Sequence, residues 1–128
     1  MTGSKTKTAH PGFPQKGEVW FVKIPNQPDD PHQPRPAIVV SRDARNGYAT
    51  DVMVVPVFSE ATAFNDCYVP IPAKEGGLSK DSIAKCDQIT TISKRMLAKG
   101  PLGTRIDPAL MRQIHHAIRR ALGETRVP

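Results

Sequence analysis

From Pro25 the chain places a proline at every third position, Pro25, Pro28, Pro31 and Pro34, and then enters Arg35-Pro36-Ala37-Ile38-Val39-Val40-Ser41. Proline fixes φ and lacks an amide donor, so neither a helix nor a central strand survives over 25–34. The run reads as a long, stiff loop that loses little entropy on ordering. Ala37 to Val40 is continuously apolar, the mark of a strand buried on both faces. Arg35 stands at the junction, held at its base and free at its tip, which suits a phosphate clamp.

Other segments read as further short strands. Gly17 to Ile24 alternates, with Val19, Phe21 and Lys23 on one face and Glu18, Trp20, Val22 and Ile24 on the other. Trp20 is most simply a core residue. Asp43 to Tyr48, with Asn46-Gly47, is a turn signal. Asp51 to Phe58 is a third, central strand, expected to bend or bulge at Pro56. Ser59 to Asp66 reads as a loop, Cys67 to Ile71 as a short edge strand, and Gly76-Gly77 as a turn.

Ser82 to Ile89 is the next strand, with Lys85 and Asp87 on one face, roughly 7 Å apart at the Cα atoms. Lys94 to Leu97 could make a helical turn. The clearest helix starts at the N-cap Asp107 with Pro108 following, and stops at Gly123. Its apolar stripe is Leu110, Met111, Ile114, Ile118, Ala121 and Leu122. Many short strands and one packing helix make a mainly β fold, a small SH3-like barrel with the C-terminal helix on one side.

With 128 residues the chain suits one domain: a flexible basic tail over 1–16, the domain over 17–123, and a short tail over 124–128. No apolar run is long enough to span a bilayer, and the first residues lack the apolar region of a secretory signal, so a cytoplasmic protein is expected. The formal charge of +6 and pI near 9.6 favour a polyanion, a membrane surface or an acidic protein as partner. Cys67 and Cys86 lack the paired spacing of a zinc site and read as free thiols. His115-His116 lacks the i, i+4 geometry of a helical metal site, so no metal or cofactor is expected.

No glycine-rich phosphate loop, GxSxG or HExxH motif is present. The candidates for chemistry are Arg35, Ser59, Lys85 and Asp87, polar groups at strand ends or amid apolar neighbours. A carboxylate on so apolar a strand needs a cation or hydrogen bonds. Lys85 is a ready partner, and residue pattern alone leaves a structural salt bridge ahead of a reactive pair.

Four blocks in order, Gly17-Glu18-Val19-Trp20, Arg35-Pro36-Ala37-Ile38-Val39-Val40, Val54-Val55-Pro56-Val57 and Lys85-Cys86-Asp87-Gln88-Ile89 with Thr91-Ile92, resemble the MazF/PemK toxin family. With the terminal helix, the resemblance runs from Gly17 to Gly123. It implies the plasmid-maintenance-toxin version of the SH3-like barrel, usually a homodimer. It also implies a metal-independent, sequence-specific endoribonuclease of a type II toxin–antitoxin system that cuts single-stranded RNA through its own 2′-hydroxyl. Products would be a 2′,3′-cyclic phosphate and a 5′-hydroxyl.

Carried over by motif, Arg35 is similar to the arginine that engages the scissile phosphate, Ser59 falls at the hydroxyl position after the turn, and Asp87 resembles the acidic catalytic member. Lys85 sits where relatives place an arginine. Phe58, His32 and Gln88 are the implied RNA contacts. The implied partners are RNA, an acidic antitoxin that folds on binding, and operator DNA reached mainly through the antitoxin complex.

Three departures stand out. Phe58 takes a position where threonine is common, and either stacks on a base or fills core. Lys85 lacks a guanidinium and cannot grip a phosphate bidentately. Asp29-Asp30-Pro31-His32 stands where relatives often carry His-Glu. They keep a second reading open, a non-catalytic toxin or binding module of the same fold, such as a topoisomerase-directed growth inhibitor. A plain SH3-like adaptor is a third.

Overall fold

The computed structural model describes residues 9–24, 29–30, 33–59 and 65–124. Over these the chain forms strands β1 (Val19–Val22), β2 (Arg35–Val39), β3 (Asp51–Phe58), β4 (Tyr68–Ile71), β5 (Ser82–Lys85), β6 (Thr90–Ser93) and β7 (Leu97–Lys99), with helices α1 (Asp43–Tyr48) and α2 (Pro108–Ala121). The strands pair in the order β4-β5-β3-β2-β1-β7, all antiparallel, and β6 joins β3.

The continuously apolar strands serve two cores, one on each face. Along β2, Ile38 enters one cluster and Ala37 and Val39 enter the other; along β3, Val55 and Val57 oppose Val52 and Val54. Side chains alternate across a strand, so a run such as Val52-Met53-Val54-Val55 can only be satisfied by burying both faces. The first cluster is closed by Met111, Ile114 and Ala117 of α2. The second is closed by Ile92 of β6, with Trp20, Met96 and Leu97 packed against it.

β3 runs unbroken through Pro56, where a bend or bulge was expected. Asp51 to Val54 pair with β6, and Val57 and Phe58 pair with β5. Pro56 falls in the interval between these two neighbours, where its missing amide costs no ladder bond on that side.

The Asn46-Gly47 turn is instead part of α1. The Asn46 side chain is fully buried. Its amide donates to the Ser41 carbonyl at 2.8 Å and accepts from Ser41 Oγ at 2.5 Å. These bonds hold Asn46 in the helix rather than the left-handed turn its type favours. Lys94–Met96 forms a 3₁₀ turn leading into β7, a three-residue edge strand on β1 that the sequence pattern missed. Such short strands carry too little periodicity to be read.

The N-terminal segment packs well before Gly17. Pro14 is buried, the Lys16 amide donates to Asp43 Oδ1 at 2.7 Å, and His10 meets the buried Glu18 carboxylate at 2.8 Å. Glu18 also accepts from the Gln15 amide and Trp20 Nε1, so Trp20 is a half-buried residue tied by its indole N–H. Residues 9–16 thus belong with the domain rather than with a flexible tail. α2 starts as expected, with the Ala109 amide donating to Asp107 at 2.9 Å. Its buried stripe is Met111, Ile114 and Ala117; Ala121 and Leu122 are exposed, Leu122 at 79%.

Candidate functional site

Three of the singled-out side chains converge on one face of the sheet. Arg35 shares a face of β2 with Ala37 and Val39, whereas Phe58 alternates with Val57, and Lys85 with Ala84 and Cys86. Ala84, Cys86 and Val57 point to the α2-covered cluster, so Phe58 and Lys85 project from the opposite face, the one to which Ala37 and Val39 also point. The β2–β3 register pairs Ala37 with Pro56, and two further residues bring Arg35 opposite Phe58. On the other side β5 sets Ile83 opposite Phe58, which leaves Lys85 a diagonal neighbour.

Arg35 Cζ lies 3.9 Å from the Phe58 ring centroid, and Lys85 Nζ lies 4.1 Å from the same centroid and 5.5 Å from that of Tyr68. Both cations gain from the negative ring face, each by about 0.5–2 kcal/mol. Phe58 therefore does not simply fill core. It is half-buried and spaces two positive groups that would otherwise repel.

The Arg35 guanidinium is held by a residue the sequence reading did not single out. Its Nε donates to Asp30 Oδ2 at 2.8 Å and its Nη2 to Asp30 Oδ1 at 2.7 Å, a bidentate pair with both side chains about 10% exposed or less. Nη1 donates weakly to the Val57 carbonyl at 3.4 Å. Three of the five N–H donors are thus committed, and two have no partner among the described residues. Arg35 lines a cavity of about 220 Å³ together with Ser59, Ser79, Lys80 and Ser82. Asp29-Asp30 ahead of an arginine hinted at such a pair, but nothing in the sequence says which way a proline-rich loop folds back.

The remaining candidates lie further out. Ser59 follows β3 and is exposed. The expected strand over 82–89 ends at Lys85; Cys86–Gln88 is a 3₁₀ turn. Lys85 and Asp87 therefore do not share a strand face, and Asp87 is exposed rather than buried. No ion pair joins the two among the described residues. Cys86 is fully buried against the α2 cluster, and its amide donates to the Cys67 carbonyl, one rung beyond the Tyr68–Lys85 pair, before the chain turns. Burial pushes the Cys86 thiol up to about 12, which keeps it inert; it and Cys67 are free thiols. Gln88 is half-buried in that turn. His32 lies outside the described residues.

The site can bind and polarise an anion. It offers one locked guanidinium with spare donors, one ammonium, hydroxyls at the cavity wall, and two rings, Phe58 and Tyr68, beside the charges.

A family described as the PemK-like, MazF-like toxin of type II toxin–antitoxin systems matches residues 15–122. The chain is 32% identical over 111 residues to the endoribonuclease MazF9 of Mycobacterium tuberculosis, covering 82% of this chain and 92% of that one. It is 26% identical over 110 residues to the endoribonuclease EndoA of Bacillus subtilis, covering 84% and 93%. Among solved structures it superimposes on a mycobacterial endoribonuclease in complex with its cognate antitoxin, with TM-score 0.72, 26% identity, and 90% and 99% of the two chains covered. It also shares the fold of MazF from Deinococcus radiodurans, with TM-score 0.71 and 22% identity over 88% and 98%. The chain belongs to the PemK/MazF-like family of type II toxin–antitoxin toxins.

Proposed function

We propose that the protein is the toxin of a type II toxin–antitoxin pair and an endoribonuclease that cuts single-stranded RNA without a metal ion. The observation that carries it is Arg35: a guanidinium locked by Asp30 and backed by Phe58, with two donors left over beside a cavity. A locked guanidinium binds a phosphate with little reorganisation.

In this reading Arg35 holds the scissile phosphate. The 2′-hydroxyl gives its proton to Asp87 and attacks phosphorus, and the P–O5′ bond breaks. Lys85 stabilises the charge on the phosphorane, and Arg35 or Lys85 protonates the leaving 5′-oxygen. The products are a 2′,3′-cyclic phosphate and a 5′-hydroxyl. Ser59 supports the phosphate from the cavity wall. Phe58, with its ring beside both cations, takes a flipped base, as single-stranded RNA permits; His32 and Gln88 complete the RNA contacts. Asp30 positions Arg35.

An acidic antitoxin segment would compete for the same positive face, and operator DNA would be reached through that complex. A homodimer in the cytoplasm completes the reading. The test is incubation of the purified protein with single-stranded RNA in EDTA, with Arg35→Ala and Asp87→Asn variants alongside. Cleavage to cyclic-phosphate ends that each variant lowers supports the assignment. Cleavage that survives both replacements overturns the roles.

A second reading, a non-catalytic growth inhibitor of the same fold, is favoured by one observation: Asp87 is exposed in a turn and does not share a strand face with Lys85. It predicts growth arrest without RNA fragmentation.

A further inference from the structure

The cavity that Arg35 lines does not stop at Arg35. Four of its walls, Phe21, Pro36, Leu78 and Ser79, are also walls of a second cavity of about 350 Å³, which Gly77, Lys99, Pro101 and Leu102 close. The two spaces form one trough. Pro34, Arg35 and Pro36 all line its first part, so it wraps the end of β2 and comes out on the Phe21 side of the sheet.

Strand register builds the second space. β1 sets Phe21 opposite Pro36 on one side and opposite Lys99 on the other, so the three side chains stand in a row on one face. The backbone holds the far wall. The Leu102 amide donates to the Val19 carbonyl at 2.9 Å. Gly77, at φ +88°, lies so close to Leu102 that a Cβ would come within 2.4 Å of its carbonyl, and only glycine fits there. The space is therefore formed before any ligand arrives, and its volume is that of a small-ligand pocket.

Its chemistry is selective. The lining is a phenyl ring, two prolines and two leucines, with the Ser79 hydroxyl and the Lys99 ammonium at the rim, both residues exposed. Lys99 has no ion pair or hydrogen bond among the described residues. Among the described residues no Asp, Glu, Asn or Gln lines either part of the trough, so the serine hydroxyls are its sole side-chain acceptors.

We propose that this second cavity is a base-specificity subsite. It takes the base of a nucleotide adjoining the scissile phosphate, stacked on Phe21, and prefers guanine because Lys99 donates to O6 and N7. The proposal rests on the ribonuclease reading of the Arg35 site and adds a second ring to it. Phe58 on β3 and Phe21 on β1 then flank Arg35 on β2, and the bases on the two sides of the held phosphate are splayed apart. Adenine presents an amino group where guanine presents O6, which sets donor against donor at Lys99. Cytosine does the same, and uracil keeps an acceptor but stacks over less area.

Binding is read without cleavage, on 2′-O-methyl RNA, which lacks the nucleophile. Pentanucleotides carrying guanine, adenine or no base at each position in turn are titrated against the full chain, Phe21→Leu and Lys99→Gln. For the unaltered protein, one position should lose about tenfold in affinity when its base is removed, and about tenfold when its guanine becomes adenine. Phe21→Leu should abolish the first penalty and Lys99→Gln the second, with the other positions unchanged in both.

Lys99 is exposed, so Lys99→Gln keeps the comparison should Phe21→Leu disturb folding. Penalties that are equal in all three proteins at every position overturn the proposal. So does a uniform loss of affinity across positions in Phe21→Leu, which would make the ring structural. Loss of self-association by Phe21→Leu with no base effect would give the cavity to a second copy and overturn it as well. Failure of the ribonuclease reading appears separately, as RNA binding by the unaltered protein without cleavage of RNA that keeps its 2′-hydroxyls.

Discussion

At the scale of single residues, the site turns on how Arg35 is held. Asp30 fixes one edge of the guanidinium, Phe58 backs its plane, and the remaining donors are available to a ligand. Arg35→Lys keeps the charge but loses the fork, so RNA cleavage should fall about 10–100-fold with the fold intact; a rate near that of the unaltered protein would show that charge alone suffices. Asp30→Asn leaves a buried guanidinium without its counter-charge. It should cost about 3 kcal/mol in urea unfolding, and Asp30→Asn combined with Arg35→Gln should recover part of that loss. Arg35 and Lys85 were legible as candidates because each breaks the local apolar pattern at a strand end, and Phe58 because it stands where the family it resembles commonly carries threonine. Their convergence was not, because it depends on strand register. Asp30 was missed because the loop that carries it has no periodicity to read.

At the scale of elements, reading failed where a side chain found a tertiary partner. Asn46 gives up the turn its type prefers because Ser41 satisfies it inside α1. β5 ends at Lys85, Cys86 enters the α2 cluster, and the 3₁₀ turn over Cys86–Gln88 moves Asp87 off the Lys85 face. Reading succeeded where local chemistry suffices, as at the Asp107-Pro108 start of α2. On α2, His115 makes stability depend on pH in a defined direction. Its folded pKa is lowered from 6.5, chiefly by burial, so between the folded and unfolded values the unfolded chain holds more protons. Stability is full above pH 6.5 and is lost as pH falls through that value toward the folded one. Urea unfolding at pH 7.5 and 5.5 should show this loss, and His115→Gln should reduce the difference between the two conditions.

At the scale of the whole molecule, charge is divided between two surfaces. One carries Arg35 and Lys85 beside aromatic rings; the other carries Arg42, Arg112 and Lys16 around an aliphatic floor. If Arg35, Lys85 and Lys80 each meet one phosphate, binding of a 2′-O-methyl RNA should fall with salt at a log–log slope of about −2. A slope near zero would remove phosphate contact from the account, and Arg42→Glu/Arg112→Glu should leave the slope unchanged. Sequence alone determined the mainly β architecture, because apolar runs such as Ala37 to Val40 and Val52 to Val55 demand burial on both faces, and prolines leave 25–34 nothing but a loop. It also determined the terminal helix and the family, through the order of its blocks. Tertiary structure decided which charges meet: that Asp30 locks Arg35, that Phe58 lies between Arg35 and Lys85, and that basic residues from 16, 42, 105 and 112 share one cleft. Such groupings join positions far apart in the chain, and only the register of paired strands and the packing of α2 bring them within reach of one another.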